Sequence, residues 1–203
     1  MTTEFIQIQN NYDDALNRTI NVLINGGLFV FPTDTVYGLG CIFDNEKSVK
    51  KIYELKGRDF DKPLAAYFSS VNMVENYILK QDDVFYNICE KYIPGAITIV
   101  TKKNDIIPDF VTSYGKTIGI RIPKNKFILD LIERLGIPFV GTSANISNNP
   151  SAKNAKEAFE IFKNKIELVL EDDGSNLGLE STVLSVVDKQ IKILRPGALE
   201  IIL

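Results

Sequence analysis

Amphipathic helical stripes alternate with short apolar runs along this chain, and that alternation restricts it to a sheet with helices packed against it. Residues 12–24 carry Ala15, Leu16, Ile20, Leu23 and Ile24 on one helical face, Gly26-Gly27 ends the helix, and residues 28–31 read as a buried strand. The pattern recurs. A helix capped by Asn45 runs to about Lys56, with Gly57 suited to the left-handed position past its end, and residues 64–68 form a strand. A helix over 82–92, ended by Pro94-Gly95, precedes a strand over 97–100. Another helix over 125–135 precedes a strand over 138–141, and Asn154 and Glu157 open a helix over 154–162 in capping-box spacing. Residues 5–8, 167–170, 181–187 and 190–194 complete the predicted strands, the consecutive late ones pointing to antiparallel pairing.

One strand is singled out by its chemistry. Thr117-Ile118-Gly119-Ile120-Arg121-Ile122 alternates strictly, so Thr117, Gly119 and Arg121 share a face while the isoleucines fill the other. A guanidinium in an otherwise apolar strand wants an anionic partner, either a protein carboxylate or a substrate. Pro32 cannot extend a sheet ladder, so Pro32-Thr33-Asp34-Thr35 leaves the preceding strand as a loop with two hydroxyls and a carboxylate.

At 203 residues, 45% hydrophobic and 24% charged, the chain is expected to form a single domain over 1–203. We find no internal repeat, low-complexity tract or linker that would divide it. A net charge of −3 argues against coating nucleic acid by bulk electrostatics, although a local basic groove is compatible with it. Cys41 and Cys89 are far apart and suggest neither a metal site nor a disulfide framework. No apolar run approaches the roughly 18 residues of a membrane span, and the N-terminus lacks a basic stretch followed by an apolar one, so a cytoplasmic location is expected.

The chain has no histidine, so no imidazole titrates near neutrality. If the chain holds a pocket for anionic substrates, its chemistry runs on fixed positive charge and hydrogen-bond donors rather than on an imidazole base. Lys56, Arg58 and Lys62 cluster in one segment, and Gly141-Thr142-Ser143-Ala144-Asn145 supplies a donor-rich turn at a strand end. Both segments suit an anionic substrate, although cations at a helix terminus and polar turn residues also occur for purely local reasons. Gly115-Lys116-Thr117 is not a P-loop, because Phe110 stands where the first glycine belongs and a strand pattern follows instead of a helix.

Taken together, residues 31–40, Lys56-Gly57-Arg58, Lys62-Pro63-Leu64, residues 117–121, Thr142-Ser143-Ala144-Asn145, Ser181-Thr182-Val183 and Arg195-Pro196-Gly197 resemble the YrdC-like family of L-threonylcarbamoyladenylate synthases. The resemblance implies an α/β fold: a twisted mixed sheet with helices packed against it and a central electropositive cavity. It also implies a nucleotidyltransferase that makes threonylcarbamoyl-AMP and pyrophosphate from L-threonine, bicarbonate and ATP for t6A modification of tRNA. Lys56, Arg58, Ser143 and Asn145 would be catalytic. Arg58, Lys62, Thr117, Ser143, Ser151 and Arg195 would hold ATP, while Thr35, Tyr67, Arg121, Gly141 and Ser181 would surround threonine. Mg²⁺ would accompany ATP, with no organic cofactor and no protein-held metal. A tRNA and a downstream threonylcarbamoyl-transferase complex are the further partners it implies, with no membrane involved.

Many members similar to this chain carry a histidine where Tyr67 stands, and a tyrosine, with an ordinary pKa of about 10, is a poor base at neutral pH. The chain resembles the short single-domain form, without the extra C-terminal domain of longer members. Two alternatives stay open: an RNA-binding YrdC-like module, and a paralogue acting on another carbamoyl- or acyl-adenylate substrate.

Overall fold

The computed structural model describes residues 1–172, 174 and 176–202. Ten strands form one mixed sheet, in the order β1-β8-β2-β3-β7-β4-β6-β5-β9-β10. They are β1 (Glu4–Gln7), β2 (Phe29–Phe31), β3 (Gly38–Ile42), β4 (Ala65–Tyr67), β5 (Ile97–Lys102), β6 (Thr117–Arg121), β7 (Phe139–Ser143), β8 (Leu168–Glu171), β9 (Thr182–Ser185) and β10 (Lys192–Arg195). The helices are α1 (Tyr12–Ile24), α2 (Glu46–Lys56), α3 (Val71–Glu75), α4 (Asp83–Tyr92), α5 (Lys126–Leu135) and α6 (Ala155–Phe162).

Local chemistry sets the helix ends. Asn11, Asn45, Asp82, Asn125 and Asn154 each accept a backbone N–H from the first turn of the helix they precede. At the end of α2, Gly57 sits at φ 57°, and the Arg58 N–H bonds back to the Tyr53 carbonyl. That turn fixes where the chain leaves the helix, so Lys56 and Arg58 diverge from a rigid corner.

Two expectations needed correction. Residues 38–42 form a central strand that the sequence reading did not assign, and α3 was not foreseen. Two glycines weaken the strand pattern of β3, yet they serve packing: a Cβ on Gly38 would lie 2.3 Å from the Phe31 ring. Elsewhere the elements fall near their predicted places with shifted ends, Ile8 opening a 3-10 turn instead of closing β1.

The sheet buries apolar side chains on both faces. On one face Val30, Leu39, Ala66, Ile99, Ile118, Ile120 and Val140 pack with residues of α2, α4 and α6. On the other, Phe29, Phe31, Phe139, Leu168 and Leu170 pack under α1 and α5. This second layer covers only part of its face. Beyond it, the same face of β7, β4, β6, β5, β9 and β10 opens into a cavity.

Candidate functional site

The cavity measures about 660 Å³, and alternate residues of adjacent strands form its floor: Ala65 and Tyr67, Thr98 and Val100, Thr117, Gly119 and Arg121, Gly141 and Ser143. The face predicted for Thr117, Gly119 and Arg121 is thus the cavity face, and Ile118 and Ile120 lie in the core opposite. Lys56, Arg58 and Lys62 enter from the α2 corner, and Arg195 from β10.

Eleven of the thirteen residues singled out from the sequence line this cavity, all but Thr35 and Ser151. Those two lie one contact behind it. Thr35 Oγ1 accepts from Arg121 Nη2 at 2.8 Å, and Ser151 Oγ donates to Glu180 Oε1 at 2.7 Å.

Arg121 is only 4% exposed, and its partner is the loop carboxylate: Nη2 donates to Asp34 Oδ1 at 2.8 Å. Its Nε is buried with no partner among the described residues. A buried guanidinium N–H without a partner is costly, and this edge of Arg121 is left unsatisfied behind the cavity floor. Beside it on the floor, the Ser181 and Thr98 hydroxyls are 2.9 Å apart. Tyr67 stacks on Phe139 at 4.9 Å and meets Phe31 edge-on at 5.0 Å, so its ring is fixed between the aromatic core and the cavity. Burial raises its phenol above the ordinary range, against the opposing pull of Arg121, which suits a neutral hydroxyl and not a base.

Lys56 is the most enclosed cation of the site, 1% exposed. Its Nζ donates to the Ser143 carbonyl at 2.6 Å, the Asn145 carbonyl at 2.8 Å and Asn145 Oδ1 at 2.6 Å. Three donors meet three acceptors, which favours the charged form. Burial and then the Arg58 guanidinium push the ammonium down to about 7, with the Glu180 carboxylate acting in the other direction. Ser143 Oγ also donates to Asn145 Oδ1, at 2.9 Å, and Asn145 Nδ2 donates to the Asn149 carbonyl. The helix corner and the donor-rich turn are therefore one hydrogen-bonded unit.

Arg58 folds over the Lys62 and Pro63 carbonyls, at 3.0 and 3.2 Å, and burial lowers it from its usual range. Lys62 pairs with Asp59 at 2.7 Å on the rim. Arg195 donates through Nη1 to Glu180 and through Nη2 to the Ser181 carbonyl at 2.8 Å. Among the described residues the lining so assembled carries five cations, Lys56, Arg58, Lys62, Arg121 and Arg195, against one carboxylate, Glu180.

Among the charged lining residues Glu180 is the one the sequence reading missed, and Thr98 on the floor was not singled out either. Glu180 ends a Gly-rich, acidic connection that offered no local signal beyond its charge. Among the described residues no group of three His, Cys, Asp or Glu side chains could hold a metal, and no helix is long and apolar enough to cross a membrane. Cys41 and Cys89 are free and buried, and burial raises both thiols, Cys89 to about 12.

An open hollow on one face of a ten-stranded mixed sheet, lined by Lys and Arg side chains from separate segments, defines the class of this α/β protein. The family model described as telomere recombination, Sua5/YciO/YrdC, matches residues 21–197, and the chain belongs to this family. The chain is 36% identical to the threonylcarbamoyl-AMP synthase of Pyrococcus abyssi over 174 residues, covering 86% of this chain and 51% of that protein. Against the threonylcarbamoyl-AMP synthase of Bacillus subtilis it is 33% identical over 188 residues, covering 92% of this chain and 54% of that protein. It thus spans about half the length of these relatives. The crystal structure of P. abyssi Sua5 complexed with L-threonine superposes with a TM-score of 0.91 at 32% identity, covering 96% of this chain and 58% of that one.

Proposed function

We propose that this chain is a threonylcarbamoyl-AMP synthase, joining L-threonine, bicarbonate and ATP into threonylcarbamoyl-AMP with release of pyrophosphate. The observation that carries this reading is the convergence of Lys56, Arg58, Arg121, Ser143 and Arg195, far apart in the chain, on one cavity. Three anionic reactants brought together need several fixed cations, because their mutual repulsion in a partly desolvated site is otherwise prohibitive. The names of the relatives, and threonine in the P. abyssi crystal structure, supply the substrate class.

In this proposal the threonine carboxylate lies against the positive charge of Arg121 on the cavity floor, with Ser181, Gly141 and Tyr67 around the amino acid and Thr35 bracing Arg121 from behind. The triphosphate lies towards Arg58, Lys62, Thr117, Ser143 and Arg195, with Ser151 behind them. The amine takes up bicarbonate as a carbamate with loss of water, and a carbamate oxygen attacks the α-phosphorus in line with departing pyrophosphate. Lys56 acts through its charge and by holding the Ser143–Asn145 turn, since its three N–H bonds are already committed. Arg58 can release its carbonyl partners to meet developing phosphate charge. Mg²⁺ enters on the phosphates as part of the substrate, with no organic cofactor. The product serves tRNA t6A modification in the cytoplasm through a downstream threonylcarbamoyl-transferase complex.

Pyrophosphate release measured with each reactant omitted in turn tests the proposal. Release should require threonine, bicarbonate and ATP together, and Arg58→Ala should remove most of it while unfolding normally. Release indifferent to threonine overturns the assignment. Release driven by a different amino acid favours the paralogue reading, for which the observation is Tyr67 in the cavity wall.

A further inference from the structure

We infer that the Glu180 carboxylate is an internal stand-in for an incoming phosphate group, holding that group's donors until the nucleotide displaces it. The inference rests on the nucleotide reading above and adds a competitor built into the chain. Among the described residues Glu180 is the one carboxylate in the cavity lining, and it accepts from the Ser151 hydroxyl at 2.7 Å and from Arg195 Nη1. Burial alone would raise its carboxyl. The Ser151 hydrogen bond, Arg195, the Ser143 hydroxyl and the Lys56 charge together bring it below the usual range, so it is a charged group gripped by two donors, Ser151 and Arg195, beside the Ser143–Asn145 turn that Lys56 holds.

A carboxylate and a phosphate present the same acceptor oxygens to a guanidinium and a hydroxyl, and two anions cannot share one set of donors. Nucleotide entry must therefore move Glu180. The backbone around it is pinned, since Gly178 N–H bonds the Thr35 carbonyl at 2.9 Å and Ala198 N–H bonds the Glu180 carbonyl at 2.8 Å. Displacement is thus a rotation of the side chain, which is one-third exposed and has open cavity beside it. Until then the donors stay ordered, and the free energy of breaking the Glu180 contacts is subtracted from nucleotide affinity.

The experiment compares wild type, Glu180→Gln and Glu180→Asp by calorimetric titration with ATP, inorganic pyrophosphate and adenosine, each with Mg²⁺ and with chelator, after thermal melts establish folding. Glu180→Gln, of equal size and without the charge, should bind ATP and pyrophosphate roughly tenfold more tightly in both conditions. Glu180→Asp should gain less, and adenosine should gain nothing. Unchanged or weaker phosphate binding by Glu180→Gln overturns the inference, as does a loss confined to the Mg²⁺ arm, which would make Glu180 a cation ligand. An equal gain for adenosine overturns it too. Wild type that binds none of the three probes overturns the nucleotide reading itself.

Discussion

One face of the sheet is built in two ways. Under α1 and α5 it presents Phe29, Phe31 and Phe139 and is sealed, while across β6, β5 and β9 it presents Thr117, Arg121, Thr98 and Val183 and stays open. The strands follow the same alternation in both halves, and the opposite face is mainly apolar, with Thr101 and Thr182 its buried hydroxyls on β5 and β9. The difference teaches that the site comes from leaving half of one layer uncovered. Tyr67 marks the seam, belonging to the aromatic cluster and to the cavity wall at once.

Truncation in the sealed half should give the largest effect. Phe139→Ala removes the ring that stacks on Tyr67 and meets Phe29 and Phe31, and should cost about 3–5 kcal/mol in urea unfolding. A loss below about 1 kcal/mol would break the distinction between the halves.

Lys56→Met comes next, because it leaves three buried acceptors without their donor and should cost about 1–3 kcal/mol. Its pH dependence is the sharper measurement. With the ammonium at about 7 in the folded state and 10.5 when unfolded, the unfolded chain binds more protons between these values. Stability of wild type relative to Lys56→Met should therefore rise with pH across that window, as pH-dependent unfolding would show. A flat difference would mean that the three oxygens keep Lys56 charged throughout.

In the open half, Thr98→Val severs the hydroxyl pair with Ser181 and should cost about 0.5–1.5 kcal/mol, with a larger relative effect on the threonine concentration needed for half-maximal pyrophosphate release. The smallest stability change belongs to Lys62→Gln, whose pair with Asp59 is a rim contact contributing about 0–1 kcal/mol. Pyrophosphate release at low ATP should nevertheless fall, and a variant unchanged in both readouts would remove Lys62 from the phosphate set.

Much of this arrangement was legible in residues 117–122, where strict alternation placed a hydroxyl and a guanidinium together opposite isoleucines. Asn45 and Gly57 likewise announced the ends of α2, because capping depends on neighbours three or four residues away. β3 was not legible, since its glycines read as loop and their purpose is the Phe31 ring packed against them. Glu180 was hidden for a similar reason: its meaning lies in Ser151 and Arg195, which are 29 and 15 residues distant.

The amino-acid order by itself determined which residues face together on a strand, where helices stop, and that no imidazole takes part, all consequences of local geometry and side-chain chemistry. Only the tertiary structure decided that Asp34 and not a substrate neutralises one edge of Arg121, that Lys56 spends its three bonds on the Ser143–Asn145 turn, and that an internal carboxylate sits among the cations. Those outcomes depend on strand order. Burial makes each unmatched charge costly, so the fold must supply a partner from whichever segment the sheet brings alongside.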